Sequence, residues 1–331
     1  MKWFFHFKEE AVTFVDNNFN SLNLKRNNFY FLFFLAVSFS STGQEIADTA
    51  FEKTIFWRIT GNGLKDTSYL FGTMHPIFRE DVYIANKVLY EFSRSTAIYF
   101  ENTLPPNPDS VRIALTTMKK PNLKSLLGNI CYKKLVEKLE SYNDPILNDP
   151  LFDRYTPNHM NARIMKNVFG SKLTTIDDSL MILARMNDKK IFALDEPEVR
   201  ERFSDPTTLD QQATILYDFL NDFEKNISDY YRNLKGITGK YLAGDIGFIY
   251  TRNNFVRLNN NWSGRSFVIR KSSAQELLDD RNKNWLPKIE RACQSQASFF
   301  AFGVSHLAGM KGVISLLRKK GYTVTPIFLN N

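Results

Sequence analysis

The sequence predicts an α/β fold, a central, mostly parallel or mixed sheet with flanking helices. Three observations predict it. Short apolar runs bounded by turn formers, at 69–72, 97–100, 191–194 and 299–302, read as strands. Longer stretches between them carry apolar residues at helical spacing, as at 81–94, 175–187 and 208–235. The chain, at 331 residues with 43% apolar content, is long enough for a sizeable core in one large α/β domain or two smaller ones.

Composition narrows the function. The formal charge is +8, but it is spread without a block of like charge, so it reads as a solvated surface and not a nucleic-acid footprint. Cys131 and Cys293 are too few for a disulfide scaffold or a zinc knuckle and read as inert thiols.

Residues 1–43 read as a unit apart from the fold. Lys25 and Arg26 precede an 11-residue apolar run, Phe29 to Phe39, and Ser40-Ser41-Thr42-Gly43 supplies small residues for cleavage before Gln44. That is the pattern of a secretory signal behind an N-terminal extension. The run is shorter than the about 20 apolar residues of a membrane-spanning helix. The expectation is an exported protein, periplasmic or extracellular, meeting a membrane only if this segment stays uncleaved. Residues 44–331 are expected to form a single domain.

Within that domain, Thr54–Thr60 and Ser68–Gly72 form a hairpin around Gly61-Asn62-Gly63. Residues 81–94 read as a helix, and 97–100 as a strand ending in Glu101, followed by the proline-rich loop Pro105 to Pro108. Residues 110–143 look helical until Asp144-Pro145 and Asp149-Pro150 break the pattern. His159 falls near a helix start, with neither strand nor glycine before it, and reads as structural. Thr175 caps a helix to Asn187, and the strand 191–194 ends in Asp195-Glu196-Pro197. Residues 208–235 form one long amphipathic stretch, 241–250 begin another helical pair, and 277–289 place Arg281 and Asn282 on a helix. The strand at 299–302 follows, then a helix from Val313 to Lys320, with Gly321 beyond its end, and a closing strand, 322–328.

Chemistry concentrates at strand ends. The strand at 69–72 runs into Gly72-Thr73-Met74-His75, and the one at 299–302 into Gly303-Val304-Ser305-His306. With 15 Gly and 4 His, about 0.2 such spacings arise by chance in the whole chain. Each histidine would sit at the carboxyl edge of the sheet, where α/β folds bind ligands. If the strands are mostly parallel, His75, Glu101, Asp195, Glu196 and His306 share that edge. Two neutral imidazoles with a carboxylate could hold a divalent transition ion that activates water, and a free carboxylate could act as general base. Arg281 could hold a substrate carboxylate or stabilise an oxyanion. From spacing alone the reading ends at a metal or acid–base site. No Gly-x-Ser-x-Gly, His-Glu-x-x-His, Walker A or Gly-x-Gly-x-x-Gly is present.

Four segments, YLFGTMHP at 69–76, IYFE at 98–101, LLDDRN at 277–282 and FGVSHLAGMKGVISLLRKKGYTV at 302–324, resemble the TraB/GumN family, which includes the animal TIKI metalloproteases. The resemblance implies a fold related to erythromycin-esterase and ChaN-like proteins. It also implies a site of Gly72, His75, Glu101, Gly303 and His306, with Arg281 as a further polar member. His75, His306 and Glu101 would be the metal ligands, and Glu101 and Arg281 the catalytic pair. The implied cofactor is Mn²⁺ or Co²⁺, with Zn²⁺ as a further option, and the implied substrate a peptide or protein. The sequence here has Leu-Asp-Glu at 194–196 where many members have Leu-Glu-Thr. The expected function is a secreted metal-dependent hydrolase; the alternatives are a non-catalytic protein that sequesters a peptide signal or other ligand, and metal-free chemistry with a histidine base.

Overall fold

A computed structural model describes residues 51–103, 116–196, 207–252, 256–259, 266–269 and 271–329. The leader pattern at 1–43 and the proline-rich loop at 105–108 lie outside them. The fold is α/β, built on a mixed six-stranded sheet with flanking helices. Strands β1 (Phe56–Gly61) and β2 (Ser68–Thr73) form the expected hairpin, paired antiparallel from Phe56↔Phe71 to Ile59↔Ser68. Gly61, Asn62 and Gly63 all take positive φ in its turn, which two glycines and an asparagine tolerate at low cost.

The rest of the sheet comes from β4 (Ala97–Phe100), β6 (Lys190–Ala193), β9 (Ser298–Gly303) and β10 (Tyr322–Pro326). Two short strands, β3 (Ile77–Phe78) and β5 (Leu173–Thr174), pair apart from it, as do β7 (Val256–Asn259) and β8 (Ser266–Ile269). The main sheet is ordered β10-β1-β2-β9-β4-β6. Within it β2, β9, β4 and β6 run parallel, and only β1 opposes its neighbours. β9 enters the sheet between β2 and β4, so the two Gly-x-x-His strands are hydrogen-bonded neighbours in register, Thr73 opposite Gly303. Both are buried but for Tyr69 and Gly303, which are half-buried, as their apolar runs require, and Phe56, Phe71, Phe92 and Phe299 pack ring against ring on one face.

Helices cover the sheet where periodicity places them, with shifted limits. Helix α1 spans Asn86–Arg94, starting later than the pattern from 81 suggests; Arg79–Asp81 instead form a 3₁₀ turn whose Glu80 and Asp81 are held by Lys235. Helix α2, Leu123–Glu140, bends at Gly128, which leaves helical geometry at φ 72°. Helices α3 (Pro157–Phe169) and α4 (Ile176–Met186) begin at Thr156 and Thr175, whose hydroxyls accept from the third residue on. The amphipathic stretch from 208 is two helices, α5 (Leu209–Asn221) and α6 (Phe223–Leu242), because the chain leaves helical geometry at Asp222. Helix α7 spans Ile246–Arg252, α8 runs Lys271–Ser295 with Pro287 inside it, and α9 spans Val313–Lys319. Among the described residues no helix is long and apolar enough to cross a membrane.

Candidate functional site

Because β2, β9, β4 and β6 are parallel and adjacent, their carboxyl ends open on one edge, and His75, Glu101, Asp195 and His306 each follow one of them. Glu101 is the centre. Its Oε1 accepts the Gly303 N–H at 2.6 Å and lies 3.7 Å from His306 Nε2, while Oε2 accepts from Arg281 Nη2. A Cβ on Gly303 would sit 3.0 Å from that Oε1 and 3.4 Å from His75 Cε1, so glycine here is what lets the carboxylate and both imidazoles close up. Gly72 has a different reason: a Cβ there would lie 3.1 Å from the Val304 Cα and 2.7 Å from Leu307 Cδ1. The Gly of the first motif makes room for the backbone of the second.

The two histidines are held differently. His306 is buried, and its Nδ1 lies 2.6 Å from Asn282 Oδ1. The Asn282 amide is oriented by its Nδ2, which donates to the Lys311 and His306 carbonyls, so Nδ1 of His306 carries the hydrogen and Nε2 the lone pair. Arg281 Nη1 faces that lone pair at 3.2 Å. Burial, with the Arg281 and His75 charges, lowers the His306 pKa to about 3 despite Glu101. His75 has 32% of its side chain exposed and pairs through Nδ1 with Asp177 Oδ2 at 3.4 Å, while Asp177 Oδ1 accepts from Thr73 Oγ1 at 2.9 Å. Burial disfavours its cation, but the hydrogen bond and charge of Asp177 and the charge of Glu101 prevail, raising its pKa to about 9. At neutral pH the site therefore holds a protonated His75 beside a neutral His306. Glu101 lies well below the usual carboxylate range, since Arg281, His306 and His75 outweigh the cost of its burial.

Arg281 closes the arrangement from α8. Its Nε and Nη2 bond Asp195 at 3.3 and 2.9 Å, so Asp195 faces an arginine and not the open edge. Trp285, one turn further, donates its indole N–H to Asp195 at 2.6 Å and stacks its ring 4.6 Å from the guanidinium carbon. Glu196 turns away to Lys288 and is 59% exposed. His159 stacks on Tyr155 at the start of α3, and both cysteines are buried with burial-raised pKa values. Asp177, Asn282 and Trp285 are the members that spacing did not single out. Their signals were local: Asp177 in the first turn after the Thr175 cap, and Asn282 and Trp285 one and four positions after Arg281.

The donor chemistry expected for a metal is present, but its geometry is not. Among the described residues no group of three His, Cys, Asp or Glu side chains is arranged to hold an ion. The lone pair on His306 Nε2, both oxygens of Glu101 and both of Asp195 each face an N–H. As arranged, these residues do not fit a closed ligand set.

The model of the TraB/PrgY/gumN family matches residues 55–326, from the first strand of the sheet to the last. The chain belongs to that family. Every residue of the cluster described above lies inside the matched span. No curated protein and no solved structure matches the chain.

Proposed function

We propose that this TraB/PrgY/gumN protein is an exported hydrolase that cleaves an amide bond in a peptide or protein at the carboxyl edge of its sheet. The observation that carries the reading is the convergence of two imidazoles, a carboxylate and a guanidinium from four separate segments, at a glycine-cleared edge. Buried ionic groups are costly, and such a cluster is more useful for chemistry than for stability. Protonated His75, the more exposed of the two, acts as the acid toward the scissile group, and Asp177 holds its ring. Glu101, ionised and fixed by the Gly303 N–H, orients the attacking water and takes its proton as the new C–O bond forms, while the His75 proton passes to the amide nitrogen as the C–N bond breaks. The Arg281 N–H groups keep the carboxylate ionised and add positive charge where an oxyanion develops. Export rests on the leader pattern of residues 1–43.

A metal-dependent form, in which His75, His306 and Glu101 would hold Mn²⁺, Co²⁺ or Zn²⁺, would need Arg281 to withdraw from His306 and Glu101, and has one observation on its side. Each imidazole is tied at Nδ1, to Asp177 or to Asn282, as ligating histidines commonly are. Turnover of a mixed peptide pool, followed by mass spectrometry with and without exhaustive chelation, separates the two forms. Persistence supports the acid–base form, and loss restored by one ion supports the metal form. No cleavage under any condition, with peptide still bound by Glu101→Gln, would replace both with the sequestering protein.

A further inference from the structure

Arg281 is held more firmly than a substrate-binding arginine needs to be. It is 9% exposed, its Nε and Nη2 lie against one carboxylate, and its guanidinium carbon lies over the ring of Trp285, which is itself bonded to that carboxylate. Asp195 thus fixes both the position and the plane of the guanidinium. From there Nη2 reaches Glu101 Oε2 and Nη1 reaches the His306 lone pair, the two donors that a metal ion at this edge would need first. A point cation and a guanidinium cannot share those atoms: the ion needs the lone pairs that the N–H groups occupy, and the two like charges would be a few ångströms apart.

We infer that Arg281 is the resident cation of the site, standing at His306 and Glu101 where a divalent ion would bind, and that Asp195 is the positioning residue that keeps it there. The inference rests on the proposed reading that this edge is the reaction site, yet it makes its own claim. A group needed only for stability would leave metal affinity unchanged when altered; here, altering it should create affinity.

The test is cobalt uptake by the full chain, read by elemental analysis and by the visible d–d absorption of Co²⁺. The wild-type protein, stripped with chelator, equilibrated with Co²⁺ and desalted, is expected to retain none above background. Arg281→Met should retain near-stoichiometric cobalt with nitrogen-ligand absorption, and the double variant with His306→Ala should lose it. Asp195→Asn, which keeps the shape of the side chain but removes the charge that holds the Arg281 guanidinium, should show partial uptake and serves if Arg281→Met does not fold. Stoichiometric cobalt on the wild type, lost in His306→Ala, overturns the inference. So does the absence of cobalt from both Asp195→Asn and a folded Arg281→Met, because the lone pairs would then not be what the arginine occupies. Each result stands whether or not the peptide pool is cleaved, so failure of the hydrolase reading shows separately, in the turnover assay.

Discussion

The two Gly-x-x-His motifs are the same in pattern and opposite in environment. One histidine follows β2, keeps 32% of its side chain in contact with solvent, and pairs with Asp177; the other follows β9, is almost wholly enclosed, and meets Asn282 and Arg281. A carboxylate at Nδ1 favours the imidazolium, whereas an amide oxygen at Nδ1 with a guanidinium at Nε2 favours the neutral ring. Identical spacing on neighbouring strands therefore yields one ring suited to giving a proton and one suited to staying neutral. What a short motif does is decided by the residues that its strand end meets.

The largest effect expected is on Glu101, which serves both rings. Glu101→Gln should reduce turnover by about 10²–10⁴-fold while keeping a folded circular dichroism spectrum; unchanged turnover would dismiss its role. Next, the histidines should separate by what their loss costs. His306→Ala should destabilise the fold by about 2–4 kcal/mol in urea titration, since it empties a buried position and strands Asn282. His75→Ala should lose turnover to a similar degree as Glu101→Gln but unfold within about 1 kcal/mol of the wild type. Equal stability losses would erase the distinction.

Stability against pH sharpens the comparison, because the two rings act in opposite windows. His75 is raised from 6.5 to about 9, so its contribution is full below 6.5 and is lost as pH climbs through 9. His306 is lowered to about 3, so its contribution is full above 6.5 and is lost as pH falls toward 3. Histidine NMR of the folded chain should show one ring titrating near 9 and one still neutral at pH 5. Asp177→Asn should move the first down toward 6.5 and leave the second in place. The glycines should separate in the same way. Gly303→Ala should disturb Glu101 and lower turnover, whereas Gly72→Ala, pressed against Val304 and Leu307, should mainly cost stability, about 1–3 kcal/mol.

Much of this was legible in the residues. The hairpin at 56–73, the strands ending in Glu101 and Asp195, the Thr175 cap and the alignment of His75 with His306 all follow from apolar runs and turn chemistry, which act locally. The late start of α1 and the short β3–β5 pair were not legible, because each rests on a distant segment, Lys235 for the first and the Ile77↔Thr174 pairing for the second. The same holds within the site. Spacing placed Asp195 at a strand end as a candidate donor, but its partner, Arg281, lies 86 positions away, and nothing local shows that the two meet.

The insertion of β9 between β2 and β4 also bears on how the protein is made. The hydrogen bond from Gly303 to Glu101 closes 202 positions of chain, and the two strands flanking β9 are synthesised long before it. Until residue 298 emerges, the centre of the sheet is a gap with two apolar strand edges facing it, a state open to mispairing and aggregation. High contact order of this kind predicts slow folding. A chain interrupted before β9 would lack the middle of its sheet as well as His306, so truncated products should be insoluble as well as inactive.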